Sequence, residues 1–205
     1  MNILQIDASI LGAQSITRDL AAAVVQQLQA THPDARLVYR DVVQQEIRHL
    51  TAAIAAGFRP SGVSAFDAAT LQEHQLSELL LQEFMASDVI VVAAPMYNFS
   101  VPSQLKAWLD RLAQAGRSFQ YTERGPVGLA GGKRVIVVSA RGGFYAEGPL
   151  AHMDFQEGYL RALFGFLGID DVQFVRAEGA SKAAEIRAAG IAKAKSAINR
   201  SLGGL

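Results

Sequence analysis

The chain has 205 residues, half of them hydrophobic, with 19 basic and 19 acidic side chains and a formal net charge of +0. That length fits one large domain over residues 1–205 with a sizeable core, and the neutral balance gives no electrostatic case for nucleic acid or an anionic membrane surface. The absence of cysteine excludes disulfides, thiolate metal sites, iron–sulfur clusters and a cysteine nucleophile.

The opening MNILQIDAS has neither the basic stretch nor the long apolar run of an export signal. No apolar run approaches the ~20 residues of a membrane span, so a cytoplasmic protein is expected. Ile3, Leu4 and Ile6 form a short first strand ending at Asp7, and a loop with Ser9, Gly12 and Ser15 follows. From Ile16, the recurrence of Leu20, Ala23, Val24 and Leu28 predicts a helix, with Ser15 or Thr17 as its cap and His32-Pro33-Asp34 as its end. Leu37 to Tyr39 reads as a second strand. Val42 to Phe66 reads as one or two short helices broken at Gly57, Pro60 and Gly62. A longer helix starts at the N-cap Asp67 and runs to Met85, with Leu71, Leu76, Leu79, Leu80 and Phe84 as its apolar stripe.

Val89 to Ala94 contains no polar residue, the pattern of a strand buried on both faces. Pro95 ends it, lacking the N–H a ladder needs, and Met96-Tyr97-Asn98-Phe99 follows. A helix from Ser103 to Ala113 turns Leu105, Trp108, Leu109 and Leu112 inward, and Asp110-Arg111 reads as a solvated or dimer-facing pair. Gln114 to Gly132 is a surface loop or small hairpin carrying Phe119 and Tyr121. Lys133 to Ser139 is the fourth strand, with Ala140-Arg141-Gly142-Gly143 directly after it. A helix over Phe155 to Leu167, a fifth strand over Val172 to Val175 and a helix over Ser181 to Ala197 complete the chain. The four histidines (His32, His49, His74, His152) lack metal-ligand spacing, and no metal site is expected.

Helices alternating with buried-type strands predict an α/β fold: a doubly wound, five-stranded parallel sheet of flavodoxin-like order 2-1-3-4-5 with helices on both faces. Ligands of such sheets bind at the carboxyl ends of the strands where the order reverses, which selects the loops after strands one, three and four. The first loop lacks both G-x-G-x-x-G and the Walker A pattern, which argues against a dinucleotide grip or a nucleotide hydrolase. It offers Ser9, Ser15 and Thr17 beside a helix start, where free N–H groups and the helix dipole favour an anion. Capping alone would account equally well for Ser15 or Thr17. Gly142-Gly143 can let backbone approach a planar ligand, or can simply be a turn. Together the loops offer a phosphate grip, a bulky wall and a glycine edge, the parts a flavin mononucleotide (FMN) needs.

Ser9-Ile10-Leu11, the Ser15 and Thr17 hydroxyls, APMYNF over 94–99, FQYTERGPVGL over 119–129, GKR from Gly132, ARGG over 140–143, GFLGI over 165–169 and AEG over 177–179 together resemble the bacterial FMN-dependent NADH-azoreductases, also described as NADH:quinone reductases. The resemblance runs from the first strand to the last helix. It implies a homodimer with FMN near the subunit interface, NADH as co-substrate, and quinones and aromatic azo compounds as acceptors. It implies FMN contacts from Ser9, Ser15-Ile16-Thr17, Met96, Tyr97, Asn98, Phe99 and Ala140-Arg141-Gly142-Gly143. Arg59 and Tyr121 match positions lining the substrate pocket, from the same or the partner subunit. No acid or base side chain is implied. The chain departs from the family at Asp7-Ala8, Leu163-Phe164 and Phe144-Tyr145, the last beside the site. Two rivals share the fold: a flavodoxin-type electron carrier, which is usually strongly acidic, and a non-catalytic FMN-binding regulatory module.

Overall fold

The computed structural model describes residues 1–59 and 66–202, the side chains of 200–202 aside. Its elements run β1 (Asn2–Asp7), α1 (Ile16–Thr31), β2 (Arg36–Asp41), α2 (Ala52–Ala56), α3 (Ala68–Ala86), β3 (Val89–Ala93), α4 (Ser103–Leu112), β4 (Phe119–Thr122), β5 (Gly125–Gly128), β6 (Arg134–Ala140), α5 (Phe155–Phe166), β7 (Asp171–Ala177) and α6 (Ala184–Leu202). Five strands form one sheet in the order β2-β1-β3-β6-β7, and every pair in it is parallel. Numbering only the strands of this sheet gives the expected 2-1-3-4-5. Among the described residues no helix is long and apolar enough to cross a membrane.

The apolar runs work because alternate side chains serve opposite faces. Leu4, Ile6, Ile90, Val92, Val135 and Val137 pack with α3, α4 and α5 on one face. Ile3, Val89, Val91, Ala93, Ile136 and Val138 pack with α1 and α6 on the other. β3 is buried along its whole length, so its carboxyl end is a fixed platform for the segment that follows.

Three expectations change. Arg111 is not a solvated or dimer-facing residue: it is fully buried, donating to Ser77 Oγ at 2.6 Å, Glu73 Oε2 at 2.7 Å and the Arg48 carbonyl at 2.8 Å. Only its neighbour Asp110 faces solvent, paired with Lys106. The inner face of α3 therefore runs Ser77-Leu80-Leu81-Phe84, a spacing of i, i+3, i+4, i+7, and Leu71 and Leu79 lie off it, 45% and 47% exposed. Helix α6 starts at Ala184 rather than Ser181 because the amides of Ala180 and Ser181 bond to the carbonyls of Arg141 and Gly142. In the segment read as one or two short helices, α2 is capped by Thr51 and ends at Gly57; Pro60 and Gly62 lie outside the described residues. Residues 114–132 contain the small hairpin, β4 antiparallel to β5.

Candidate functional site

A cleft of about 550 Å³ opens at the carboxyl ends of β1, β3 and β6, where the strand order reverses. Its first wall follows β1. Ser9 is buried, and its Oγ accepts from the Leu11 amide at 3.3 Å. Ser15 caps α1: its Oγ accepts from the Arg18 amide at 3.3 Å and lies 3.0 Å from Thr17 Oγ1. Both hydroxyls are buried. The amides of Ile16 and Thr17 fall in the first turn, outside the helix's own ladder. Capping and anion binding, alternatives in the sequence, are compatible here, because the cap fills one amide and leaves these two.

Arg18 anchors this wall from behind. Its guanidinium donates to Asp41 Oδ2 at 2.5 Å and to the Ser9 carbonyl at 3.0 Å. The hydrogen bond with Asp41 raises the Arg18 pKa further, against the effect of burial. Burial opposes the charge on Asp41, but the Arg18 hydrogen bond and the amides of Gln44 and Val43 outweigh it, and the carboxylate titrates below its usual range. Tyr39 donates to Asp7 at 2.9 Å; burial first and this bond second push the phenol up to about 12.

The second wall is the segment after β3. Tyr97 and Ser100 exchange two backbone hydrogen bonds of 3.1 Å, enclosing Asn98 at φ +48° and Phe99 at φ +71°. Two left-handed residues between a bonded pair make a tight type I′-like turn. Asn tolerates that conformation; Phe does so at a cost of about 1–2 kcal/mol. The strain is held in place from three sides. Met96 N–H bonds to the Ala140 carbonyl at 2.9 Å, and the Phe99 carbonyl accepts from Phe155 N–H at 3.1 Å. Tyr97 Oη accepts from the Ile10 amide at 3.2 Å. Below the turn, the buried Gln156 donates to the carbonyls of Ala94 and Pro95, both at 3.1 Å, and accepts from Ser139 Oγ at 2.8 Å.

The third wall follows β6. Gly142 lies so close to the segment after β7 that an added Cβ would sit 2.8 Å from Ser181 Oγ. Arg141 is fully buried and turns away from the cleft, meeting Asp154 at 3.0 Å, Glu157, and Ser139 Oγ at 3.0 Å. With the carboxylates of Asp154, Glu157 and Glu178 around it, its side chain braces the loop and is not available to a ligand in the cleft.

Ser9, Ser15, Ile16, Thr17, Met96, Tyr97, Asn98, Phe99, Ala140 and Gly142 thus line one cleft. Arg141 and Gly143 flank it, with the Gly143 carbonyl bonded to the Gly179 amide. Arg59 and Tyr121 do not line it. Tyr121 is 75% exposed on the β4–β5 hairpin. Tyr145, Ser181 and Arg187 line the cleft as well; Tyr145 belongs to the pair noted as a family departure beside the site, whereas Ser181 and Arg187 were given no role there. Gln156 was legible as a polar residue at i of the i, i+4, i+8 face that Leu160 and Phe164 complete; Arg187, in a solvated helix, carried no local signal.

A family model described as flavodoxin-like fold matches residues 1–202. The chain belongs to this flavodoxin-like fold family. Within reach of it, an FMN-dependent NADH:quinone oxidoreductase from Ralstonia nicotianae is 59% identical over 97% of this chain and 96% of its own. An FMN-dependent NADH:quinone oxidoreductase 2 from Xanthomonas euvesicatoria is 57% identical over 97% of this chain and 92% of its own. Among solved structures of the flavodoxin-like fold, an azoreductase from Bacillus anthracis superposes with a TM-score of 0.85 at 29% identity, covering 98% of this chain and 99% of that one. The resemblance read from APMYNF and its companion segments is borne out.

Proposed function

We propose that this chain is an FMN-dependent NADH:quinone oxidoreductase that also reduces aromatic azo compounds to amines. The observation that carries the reading is the union, in one cleft, of buried hydroxyls at a helix start, a strained aromatic turn and a glycine edge. The chain is 59% identical to a relative bearing the first of these names and shares its fold with solved azoreductases.

The donor set fits FMN. Ser9, Ser15 and Thr17, with the amides of Ile16 and Thr17, would receive the phosphate. Met96 to Phe99 would flank the ring system, and backbone at Gly142 would meet its polar edge. Bound FMN supplies two-electron transfer; the chain supplies binding, orientation and exclusion of water. The Tyr97 hydroxyl is engaged by the Ile10 amide, so we assign it no proton transfer.

NADH and the acceptor occupy the same place in turn, which gives parallel lines in double-reciprocal plots. Full cleavage of an azo bond takes four electrons and therefore two NADH. The working unit is a single domain, a cytoplasmic homodimer with FMN near its interface. Arg59 and Tyr121, absent from the cleft of their own chain, would reach a substrate from the partner. Phe99, Phe144 and Phe155 are solvent-exposed, so apolar surface is available for that contact.

The deciding experiment is a visible spectrum of the purified protein, taken before and after anaerobic NADH. The expected result is a yellow flavin spectrum that bleaches and recovers when a quinone is added. Colourless protein that takes up no FMN would end the proposal. A flavin spectrum that NADH leaves unchanged would favour a carrier or a regulatory module.

A further inference from the structure

The hydroxyls and amides at the start of α1 are neutral, whereas a phosphate monoester carries about −1.5 to −2 charges at pH 7. Of the described residues lining the cleft, one is a cation: Arg187. It stands in the first turn of α6, its amide bonded to the Ala183 carbonyl. Helix α6 lies against α1, with Ala194 and Ile198 buried in the same layer as Leu20, Ala21 and Val24. That packing brings the two helix starts together. Arg187 consequently also lines an adjoining cavity of about 450 Å³ together with Gln14, Ile16, Asp19 and Lys195. Gln14 and Ile16 border both spaces, which puts Arg187 at the α1 end of the cleft.

Two further observations bear on its role. Among the described residues Arg187 enters no ion pair, as is also true of Arg36, Arg124 and Arg161, whereas Arg18 and Arg141 beside the cleft are both held by carboxylates, so Arg187 is the cation there that is free to meet a ligand. A cation in the first turn of a helix also opposes the helix dipole. An anion beside it removes that penalty, and the planar guanidinium matches phosphate oxygens in two-point contact.

We infer that Arg187 is the cationic ligand of the FMN phosphate, closing from α6 the site that Ser15 and Thr17 open from α1. This assignment rests on the FMN reading above. It makes the last helix part of the cofactor site and gives the chain a means of preferring FMN to riboflavin, which lacks the phosphate.

The test measures the affinity of full-length protein, stripped of flavin, for FMN and for riboflavin by quenching of flavin fluorescence. The variants are Arg187→Gln and Arg187→Lys. Arg187 is exposed, so neither change endangers folding. Arg187→Gln is expected to weaken FMN by about ten-fold, the scale of one partly solvated charge-assisted hydrogen bond, and to leave riboflavin unchanged. Arg187→Lys should recover part of the loss. Added salt should weaken FMN binding more in the wild type than in Arg187→Gln. Unchanged FMN affinity in Arg187→Gln, or equal losses for FMN and riboflavin, would overturn the assignment and leave the flavin site standing. A wild type that binds neither flavin would overturn both.

Discussion

The Tyr97 hydroxyl accepts a hydrogen bond of 3.2 Å from the amide of Ile10, and 87 residues of sequence separate the two. The same oxygen lies 3.4 Å from Ser9 Oγ. One phenol therefore joins the wall after β3 to the wall after β1, and sets the width of the cleft between them.

Tyr97→Phe tests that link. The ring stays and the tie is lost. Ile10 is exposed, so its freed amide returns to water and the cost is close to that of one ordinary hydrogen bond, about 1 kcal/mol. The expected outcome is weaker FMN binding, because the two walls are no longer tied, with a melting temperature lower by about 2–4 °C, the shift that energy implies for a chain of this size. Titration of flavin fluorescence reads the first and a thermal melt the second.

Phe99 allows a comparison that inverts a general rule. Glycine in place of alanine usually destabilises by about 0.5–1 kcal/mol. At φ +71° alanine keeps the steric clash and loses the ring, whereas glycine loses the ring and the clash together. Phe99→Gly should therefore be more stable than Phe99→Ala by about 1 kcal/mol, measured by urea unfolding. Both variants should lose turnover with NADH and a quinone, because the ring beside the cleft is gone from each. Equal stability would mean that the turn is not strained.

Gly142→Ala would place a methyl group 2.8 Å from Ser181 Oγ. The backbone of this edge cannot retreat freely, since the Arg141 and Gly142 carbonyls are bonded to the amides of Ala180 and Ser181. A loss of about 1–3 kcal/mol is expected from such overpacking, together with weaker FMN binding. Gly142→Ala with Ser181→Gly should recover most of it, since contacting residues couple strongly. A double variant no better than the single would place the cause elsewhere.

The fold was legible because its signals are local. The unbroken apolar run of β3, the alternation of strand and helix, and the caps Ser15 and Asp67 are written in short windows. Three cleft walls were legible for the same reason, each being a loop directly after a strand. Side-chain direction was not. Arg141 reads as a free cation beside two glycines, and only the approach of Asp154 and Glu157 from α5 and its cap shows why it points inward. Arg111 reads as one of a charged pair, and only α3, lying alongside, supplies Glu73 and Ser77 to bury it. Leu71 and Leu79 fit an apolar stripe by spacing; the polar Ser77 on the true inner face, opposite Arg111, displaces them. Arg187 reaches the cleft through the packing of α6 on α1, a contact no window of sequence contains.

The Arg18–Asp41 pair gives the cleft a pH dependence whose sign can be worked out. Asp41 titrates below its usual range when folded, so its contribution is present above the ordinary carboxylate pKa, near 4, and is lost as pH falls through the lower folded value. Arg18 is shifted upward, so it stays charged across that window. Because Arg18 also holds the Ser9 carbonyl, FMN affinity and stability should both hold to about pH 5 and fall together below about pH 4. Tyr39 acts at the other end. Its folded pKa of about 12 lies above the ordinary phenol value of 10.0, so its contribution is complete below pH 10.0 and declines as pH rises toward 12. Asp41→Asn should reduce the acid step while leaving the alkaline decline, and Tyr39→Phe should do the reverse. Thermal melts across pH 3 to 11, with FMN affinity measured at each point, separate the two; an acid step of equal size in Asp41→Asn would assign it to other carboxylates.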